Sequence, residues 1–119
     1  MKLLKIEKVT SDAIVANTPM YIDVEDVNDI VVAATTCTVT GPFGNVAFTV
    51  DGADAAEKLL NATKIADHIA GLMQDMTGPN STQKGVVELF RGKSYANFET
   101  DTGIVNTGST GPLVTTAIS

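Results

Sequence analysis

The sequence predicts a small α+β domain, in which a strongly bent antiparallel sheet of five or six strands carries one long helix across one face or end. Several short segments alternate apolar and polar residues, as half-buried strands do, while one longer segment repeats every three to four residues, as an amphipathic helix does. A single helix cannot supply the crossovers of a parallel sheet, so antiparallel pairing is expected. The specific architecture expected is a small Sm-like or SH3-like barrel with the helix inserted, although the Sm sequence motifs are absent.

Composition limits the functions that this chain can perform. With 119 residues, 44% of them apolar and 18% charged, it can bury the core of one domain. A net charge of −6 argues against a nucleic-acid binder, since phosphate contacts need clustered Lys and Arg. No apolar run approaches the roughly 20 residues that a membrane helix requires. One His, one Cys and no Trp leave few candidate catalytic groups.

The N-terminal pattern predicts two strands with a loop between them. Residues 3–9 carry Leu, Ile and Val between lysines, residues 10–17 are polar, and residues 18–24 alternate. Charged residues interrupt any apolar region that a secretory signal would need. The single unpaired cysteine also fits a reducing compartment. We therefore expect cytoplasmic synthesis, followed by assembly into a virion if the role is structural.

The next segment predicts a hairpin. Residues 30–40 are rich in β-branched side chains, Gly41-Pro42-Phe43-Gly44 is a turn signal, and residues 45–50 alternate again. Alternation along one strand places Cys37 on the face of Val31, Ala33, Thr35 and Val39, where it would act as a small hydrophobe. The threonines of this strand predict a solvated or subunit-facing surface, with a flat ice-binding or sugar-binding array as the alternative.

The long helix is predicted over about 23 residues, which at 1.5 Å per residue is a rod of roughly 35 Å. Asp51 is the expected N-cap, with Asp54 three residues later, and Gly78-Pro79 ends the helix. Its apolar residues fall on one continuous stripe, whose members are Ala55, Leu59, Ala62, Ile65, Ala66, Ile69, Leu72, Met73 and Met76.

The C-terminal third predicts a second hairpin and a separate arm. Residues 85–91 and 94–100 would pair around Gly92-Lys93, which makes residues 1–100 a single α+β domain and residues 101–119 a Thr/Gly-rich arm. The arm would add to a neighbour's sheet or fill its groove, and a frayed terminus is the alternative. Apolar residues beyond the needs of one core predict a homo-oligomer interface at Val86, Phe90, Ile104, Val105, Leu113 and Val114.

Motifs for chemistry are few. The acidic cluster Asp23, Glu25, Asp26 and Asp29 lacks the EF-hand spacing and predicts a solvated turn, although a weak cation site stays open. Cys37 and His68 supply only two of the ligands that zinc needs. We therefore expect no metal, no cofactor and no catalytic residue. A catalytic site around Asp23, Asp26 and His68 is the enzymatic alternative.

The stretch Tyr21–Ile30, the Thr-rich strand, the Phe48-Thr49 strand and the Ala-rich helix over 53–76 together resemble small proteins of marine tailed cyanophages. Those proteins have a similar size and order of elements, and the resemblance covers residues 18–76. It implies a non-enzymatic virion or assembly role and carries no functional residues over. The function expected is therefore a self-associating structural protein. The alternative is a small Sm-like module that recruits RNA or a protein partner.

Overall fold

The long helix and the strand-rich N-terminal half are both present in the computed structural model of the chain. It describes residues 2–10, 13–77, 85–104 and 114–118, the last range in backbone only. The α+β class is therefore confirmed. The elements are β1 (Leu3–Thr10), β2 (Ala13–Asp23), β3 (Asp29–Ala33), β4 (Thr36–Gly41), β5 (Gly44–Val50), α1 (Ala55–Thr77), β6 (Val86–Glu88), α2 (Tyr95–Thr102) and β7 (Val114–Ile118).

The strands form two sheets instead of the single bent sheet expected. One has the order β2-β1-β6 and the other the order β3-β4-β5-β7. All pairs are antiparallel except β1 with β6, which is parallel because the chain returns through α1 before β6. No closed barrel is found among the described strands, so the Sm-like or SH3-like barrel is not confirmed.

One continuous core joins the inner faces of both sheets to the two helices. Helix α1 contacts β3, β4 and β5, and its Ile65 and Ile69 are fully buried, as the apolar stripe predicts. Leu59, which the stripe also includes, is 46% exposed, because the first turns of the helix reach past the core. The largest fully buried side chains are Phe48, Phe90, Phe98, Leu4, Ile6, Ile22, Ile65, Ile69, Met76, Leu89 and Val9.

Two strand predictions need correction. Strand β2 already begins at Ala13, so most of the loop expected over residues 10–17 is an edge strand, where polar residues are tolerated because one side faces water. The single strand expected over residues 30–40 is two strands joined by a turn at Ala34-Thr35, with Ala34 at φ +48°. That turn breaks the alternation between the two strands. Cys37 therefore pairs with Val32 and does not share a face with Val31.

Helix α1 has the predicted length of 23 residues, but its cap lies three residues later than expected. The Asp54 carboxylate accepts a hydrogen bond from the Glu57 backbone N–H at 2.8 Å, and the Glu57 carboxylate accepts one from the Ala53 N–H at 3.0 Å. This reciprocal arrangement satisfies donors that the helix itself leaves unpaired. The Asp51 carboxylate instead accepts from the Gly52 N–H.

The second hairpin is wrong, because only β6 of it is a strand. A short 3-10 turn over Arg91–Lys93 leads into α2, whose first turn is capped by the Ser94 hydroxyl accepting from the Asn97 N–H at 3.3 Å. Gly103 ends α2 in the left-handed conformation at φ +73°, which glycine adopts without strain. The Lys64 ammonium donates to the Gly103 carbonyl at 2.8 Å and joins this end of α2 to α1.

The boundary drawn at residue 100 cuts through α2, and residues 101–104 belong to the domain. Ile104 is only 7% exposed and is part of the core. Strand β7 pairs along all five of its residues with β5 of the same chain, from Val46–Ile118 to Val50–Val114. Strand addition by the C-terminal segment thus occurs within this chain, and its addition to a neighbour's sheet stays a prediction.

Candidate functional site

The outer face of the four-stranded sheet presents aligned rows of small uncharged side chains. Its nine described residues, here called the threonine face, alternate with half-buried residues on β3 and with buried residues on β4 and β5, and none of the nine is buried. They are Asp29, Val31, Ala33, Thr36, Thr38, Thr40, Asn45, Ala47 and Thr49.

Strand register aligns the threonine face into rows that run across the sheet. Val31 pairs with Thr38, and Thr38 with Ala47, which forms a central row of methyl and hydroxyl groups. The backbone register of β7 continues this row through Ala117. Asp29, at the outer corner, is the one charged residue among the nine. The face is therefore uncharged over most of its extent.

The threonine hydroxyls of this face are partly satisfied by the sheet's own backbone. The Thr36 hydroxyl donates to the Ala33 carbonyl at 3.1 Å, and the Thr40 hydroxyl donates to the Asp29 carbonyl at 3.5 Å. A buried hydroxyl costs free energy when it loses water without gaining a partner. Because these hydroxyls keep a partner inside the chain, covering the threonine face requires less desolvation than its polarity implies.

Two of the outer strands, β3 and β2, carry features that hinder pairing along their edges. On β3 the Asp29 carboxylate accepts the Ile30 N–H at 2.9 Å, which occupies a donor that a neighbouring strand could otherwise use. Strand β2 contains Pro19, which has no N–H, and Asn17 at φ +62°, which departs from strand geometry. Prolines and irregularities of this kind block edge-to-edge addition. A contact with another molecule is therefore favoured at the face and not at these two edges.

The six residues predicted at an interface separate in the structure. Val86 is 51% exposed on β6, whereas Phe90 and Ile104 are buried in the chain's own core. The expectation that Phe90 and Ile104 exceed the needs of one core is therefore wrong: Phe90 packs against Phe98 with ring centroids 4.6 Å apart. Val114 belongs to β7, and Val105 and Leu113 lie outside the described residues.

Carboxylates of the acidic turn accept hydrogen bonds from neighbouring backbone N–H groups. The Asp23 carboxylate accepts from the Glu25 N–H at 3.0 Å and caps a 3-10 turn, and the Asp29 carboxylate bonds to the backbone of β3. Across the part of the chain that the structure describes, no three His, Cys, Asp or Glu side chains lie close enough to hold a metal ion.

The two residues with nucleophilic or acid–base side chains lie in different places. Cys37 is fully buried on β4, and burial raises the pKa of its thiol to about 11, so the reactive thiolate is disfavoured. His68 lies on α1 beside α2, with its ring 6.1 Å from that of Phe98. Burial lowers the pKa of His68, and the negative charge of Asp101 opposes this shift in part.

The comparisons with known proteins give no further guide to the site. No family model, curated protein or solved structure matches the chain. In the described ranges, neither helix has the length and apolarity needed to cross a membrane. The Thr-rich strand predicted in the sequence indicated part of the threonine face. The rows form because this stretch divides into β3 and β4, and no glycine or proline in the sequence marks that division.

Proposed function

We propose that this chain is a non-enzymatic, self-associating structural protein whose copies meet through the threonine face. A role as a virion or assembly component follows from the same proposal, and the resemblance of residues 18–76 to small cyanophage proteins supports it. The observation that carries the proposal is the exposed, nearly uncharged face of the four-stranded sheet, next to the β3 edge where Asp29 occupies a backbone donor.

Charge supports a second copy as the partner of this face. At a net charge of −6, two copies repel each other over most of their surfaces. The threonine face carries only the Asp29 carboxylate, at its corner, so two copies can approach there without burying unpaired charge. Exposed Val31, with Ala33 and Ala47, supplies apolar contact on a surface that two aligned sheets can share at a spacing of about 10 Å.

The size of the face predicts weak, reversible pairing. Four strands about 4.8 Å apart and five residues long at about 3.3 Å each give a patch on the order of 300 Å². Stable interfaces bury about 800 Å² on each partner. We therefore expect one such contact to be weak and to form only at high protein concentration. It becomes effective in an array of many copies, where neighbours raise the local concentration.

The test compares two exposed threonines that receive the same substitution. Thr49→Lys places an ammonium on the threonine face, whereas Thr100→Lys places one on α2, and both change the net charge equally. We expect light scattering at high micromolar protein to show a mass above the monomer for the parent and for Thr100→Lys. Thr49→Lys should give the monomer mass. Equal masses for the two variants would contradict a role for this face.

The Sm-like module that recruits RNA or a protein partner stays the alternative. It needs a binding surface with a basic character if RNA is the ligand, and the chain's net charge of −6 opposes this. Retention of the folded protein on immobilised RNA at physiological salt would favour that alternative over self-association.

A further inference from the structure

A cleft of about 330 Å³ runs along the outer edge of β6, away from the threonine face. Its lining includes four successive residues, 86–89, together with His68 and Leu72 of α1. Successive side chains of a strand point to opposite faces. A cleft that touches all four residues therefore follows the edge of the strand. The self-association proposed above uses no residue of this cleft.

Pairing with β1 uses alternate residues of this stretch. The Gly85 carbonyl accepts a hydrogen bond from β1 at 2.8 Å, and the Leu89 N–H donates one to β1 at 2.9 Å. Val87 lies between them in the same ladder. In a parallel ladder, alternate residues of a strand bond to the same neighbour. The backbone N–H and C=O groups of Val86 and Glu88 therefore point away from β1.

These outward groups are open to a further strand. Outside the ladder with β1, no backbone hydrogen bond joins Val86 or Glu88 to another described residue. Unlike β2, β6 contains neither a proline nor a residue with positive φ. Unpaired N–H and C=O groups at a strand edge are a template for another strand. The edge of β6 is therefore available for strand addition.

The size and position of the cleft indicate what can occupy it. A residue of a packed sheet takes about 3.3 Å along the strand, about 4.8 Å across it and about 10 Å between layers, which is on the order of 160 Å³. The volume of 330 Å³ thus matches two residues of an added strand. Two copies cannot join through this edge, because each edge lies in its own cleft beside α1. The occupant is therefore an extended segment that can enter the cleft.

The walls of the cleft determine which side chain the segment carries. Leu72 and Val87 are half-buried and pack against the core, so a side chain opposite Val87 enters apolar surroundings. Arg91 and Asp101 are joined by two hydrogen bonds of 3.1 and 3.3 Å, and neither requires a charged ligand. The Glu88 side chain lies on the opposite face of β6 from that of Val87. These walls favour an uncharged, aliphatic residue.

We propose that the cleft binds an extended peptide segment of another protein, which adds to β6 as an antiparallel strand. Its backbone bonds to the outward groups of Val86 and Glu88, and its central aliphatic side chain packs against Leu72 and Val87. Antiparallel pairing is the more stable of the two directions. In this register the two residues that flank the central one donate their N–H groups to β6, whereas the central N–H points away.

The test is an amide NMR titration of the full chain with the peptide acetyl-Ser-Thr-Val-Thr-Ser-amide. One matched peptide carries N-methyl groups on both threonines, and a second carries one on the valine. We expect saturable shifts of the Val86 and Glu88 amides with the unmethylated and the valine-methylated peptides. The threonine-methylated peptide should not bind, because it lacks the N–H donors. A peptide with Asp in place of valine should also not bind, since its carboxylate would lose water beside Leu72.

Two variants at one position test the backbone donor. Glu88→Pro removes the outward N–H and leaves the hydrogen bonds to β1, whereas Glu88→Gln keeps the N–H and removes the charge. Proline is tolerated at an edge position whose N–H has no ladder partner. Glu88→Pro should weaken peptide binding at least about threefold, and Glu88→Gln should bind like the parent. Glu88→Pro should also leave the oligomeric mass of the protein alone unchanged, because the segment comes from another protein.

Four results would overturn the proposal. They are a peptide that fails to saturate at millimolar concentration, equal binding of the two methylated peptides, equal binding of the Asp peptide and the valine peptide, and equal binding by the two variants. A lower oligomeric mass of Glu88→Pro alone would contradict another protein as the source of the segment.

Discussion

At the scale of single residues, Ile65 and Leu59 show what the sequence could and could not predict. Both lie on the apolar stripe of α1, yet Ile65 is fully buried and Leu59 is 46% exposed. Periodicity reports which face of a helix is apolar, but it does not report where along the helix the neighbouring sheet ends. Whether Leu59 is covered depends on where β3, β4 and β5 end beneath the helix, which the helical period does not report.

Truncation of these two residues to Ala should lower the free energy of unfolding by very different amounts. Ile65→Ala should lower the free energy of unfolding by about 2–5 kcal/mol, from lost burial and the cavity left behind. Leu59→Ala should lower it by less than about 1 kcal/mol, because the side chain is already half in water. Urea unfolding of both variants checks this. Similar decreases in the free energy of unfolding for the two variants would show that the helix packs in another orientation.

His68 predicts a pH dependence of stability. Burial lowers its pKa in the folded state below the ordinary 6.5, with Asp101 opposing this in part. The unfolded chain therefore binds the proton more readily, so the His68 contribution to stability is complete above pH 6.5 and is lost as the pH falls towards the folded pKa.

Unfolding by urea between about pH 7.5 and 5.5 measures this contribution, since the histidine titrates in that range. Stability of the parent should fall as the pH decreases from 6.5. His68→Gln, which has no titrating group, should show a smaller fall. Parallel curves for the parent and the variant would contradict the burial assigned to His68.

At the scale of elements, the predictability of each one follows from the strength of its local signals. Helix α1 was predicted with its correct length because its period is sustained over many turns and the Gly78-Pro79 pair in the sequence predicts its end. Helix α2 was missed because it is short and contains Asn97, Thr100 and Thr102, which are weak helix formers. Ser94 and Gly103 are the cap signals that could have indicated it.

Strand β7 offers a test that separates two roles for the C-terminal segment. Deletion of residues 105–119 leaves Ile104 and α2 intact but removes the strand that pairs with β5. We expect the melting temperature to fall by at least about 5 °C, because β5 loses the strand that pairs along its edge. A deletion that starts at residue 102 would also remove the core residue Ile104. The resulting change in melting temperature could then not be assigned to β7 alone.

The oligomeric mass of the same deletion variant decides where β7 pairs. If β7 pairs only within its own chain, the variant should still associate through the threonine-face residues of β3, β4 and β5. If copies exchange β7, the variant should give the monomer mass together with the lower melting temperature. An unchanged melting temperature and an unchanged mass would contradict both roles.

At the scale of the whole molecule, the α+β class and the single core could be predicted, whereas the arrangement into two sheets could not. Strand periodicity indicates that strands exist, but pairing between β1 and β6 joins segments more than 80 residues apart. The threonine face likewise depends on the register of β3 on β4, which the turn at Ala34-Thr35 sets. Local sequence carries little information about such distant partners.

The most direct test of self-association is the mass of the unmodified protein measured by sedimentation over a wide range of concentration and salt. We expect the average mass to rise from 12.4 kDa at low concentration towards twice that value or more at high micromolar concentration. Added salt should increase the association, because it screens the repulsion between chains of net charge −6 while the threonine face carries almost no charge to weaken. A mass that stays at 12.4 kDa under all these conditions would contradict the proposed function.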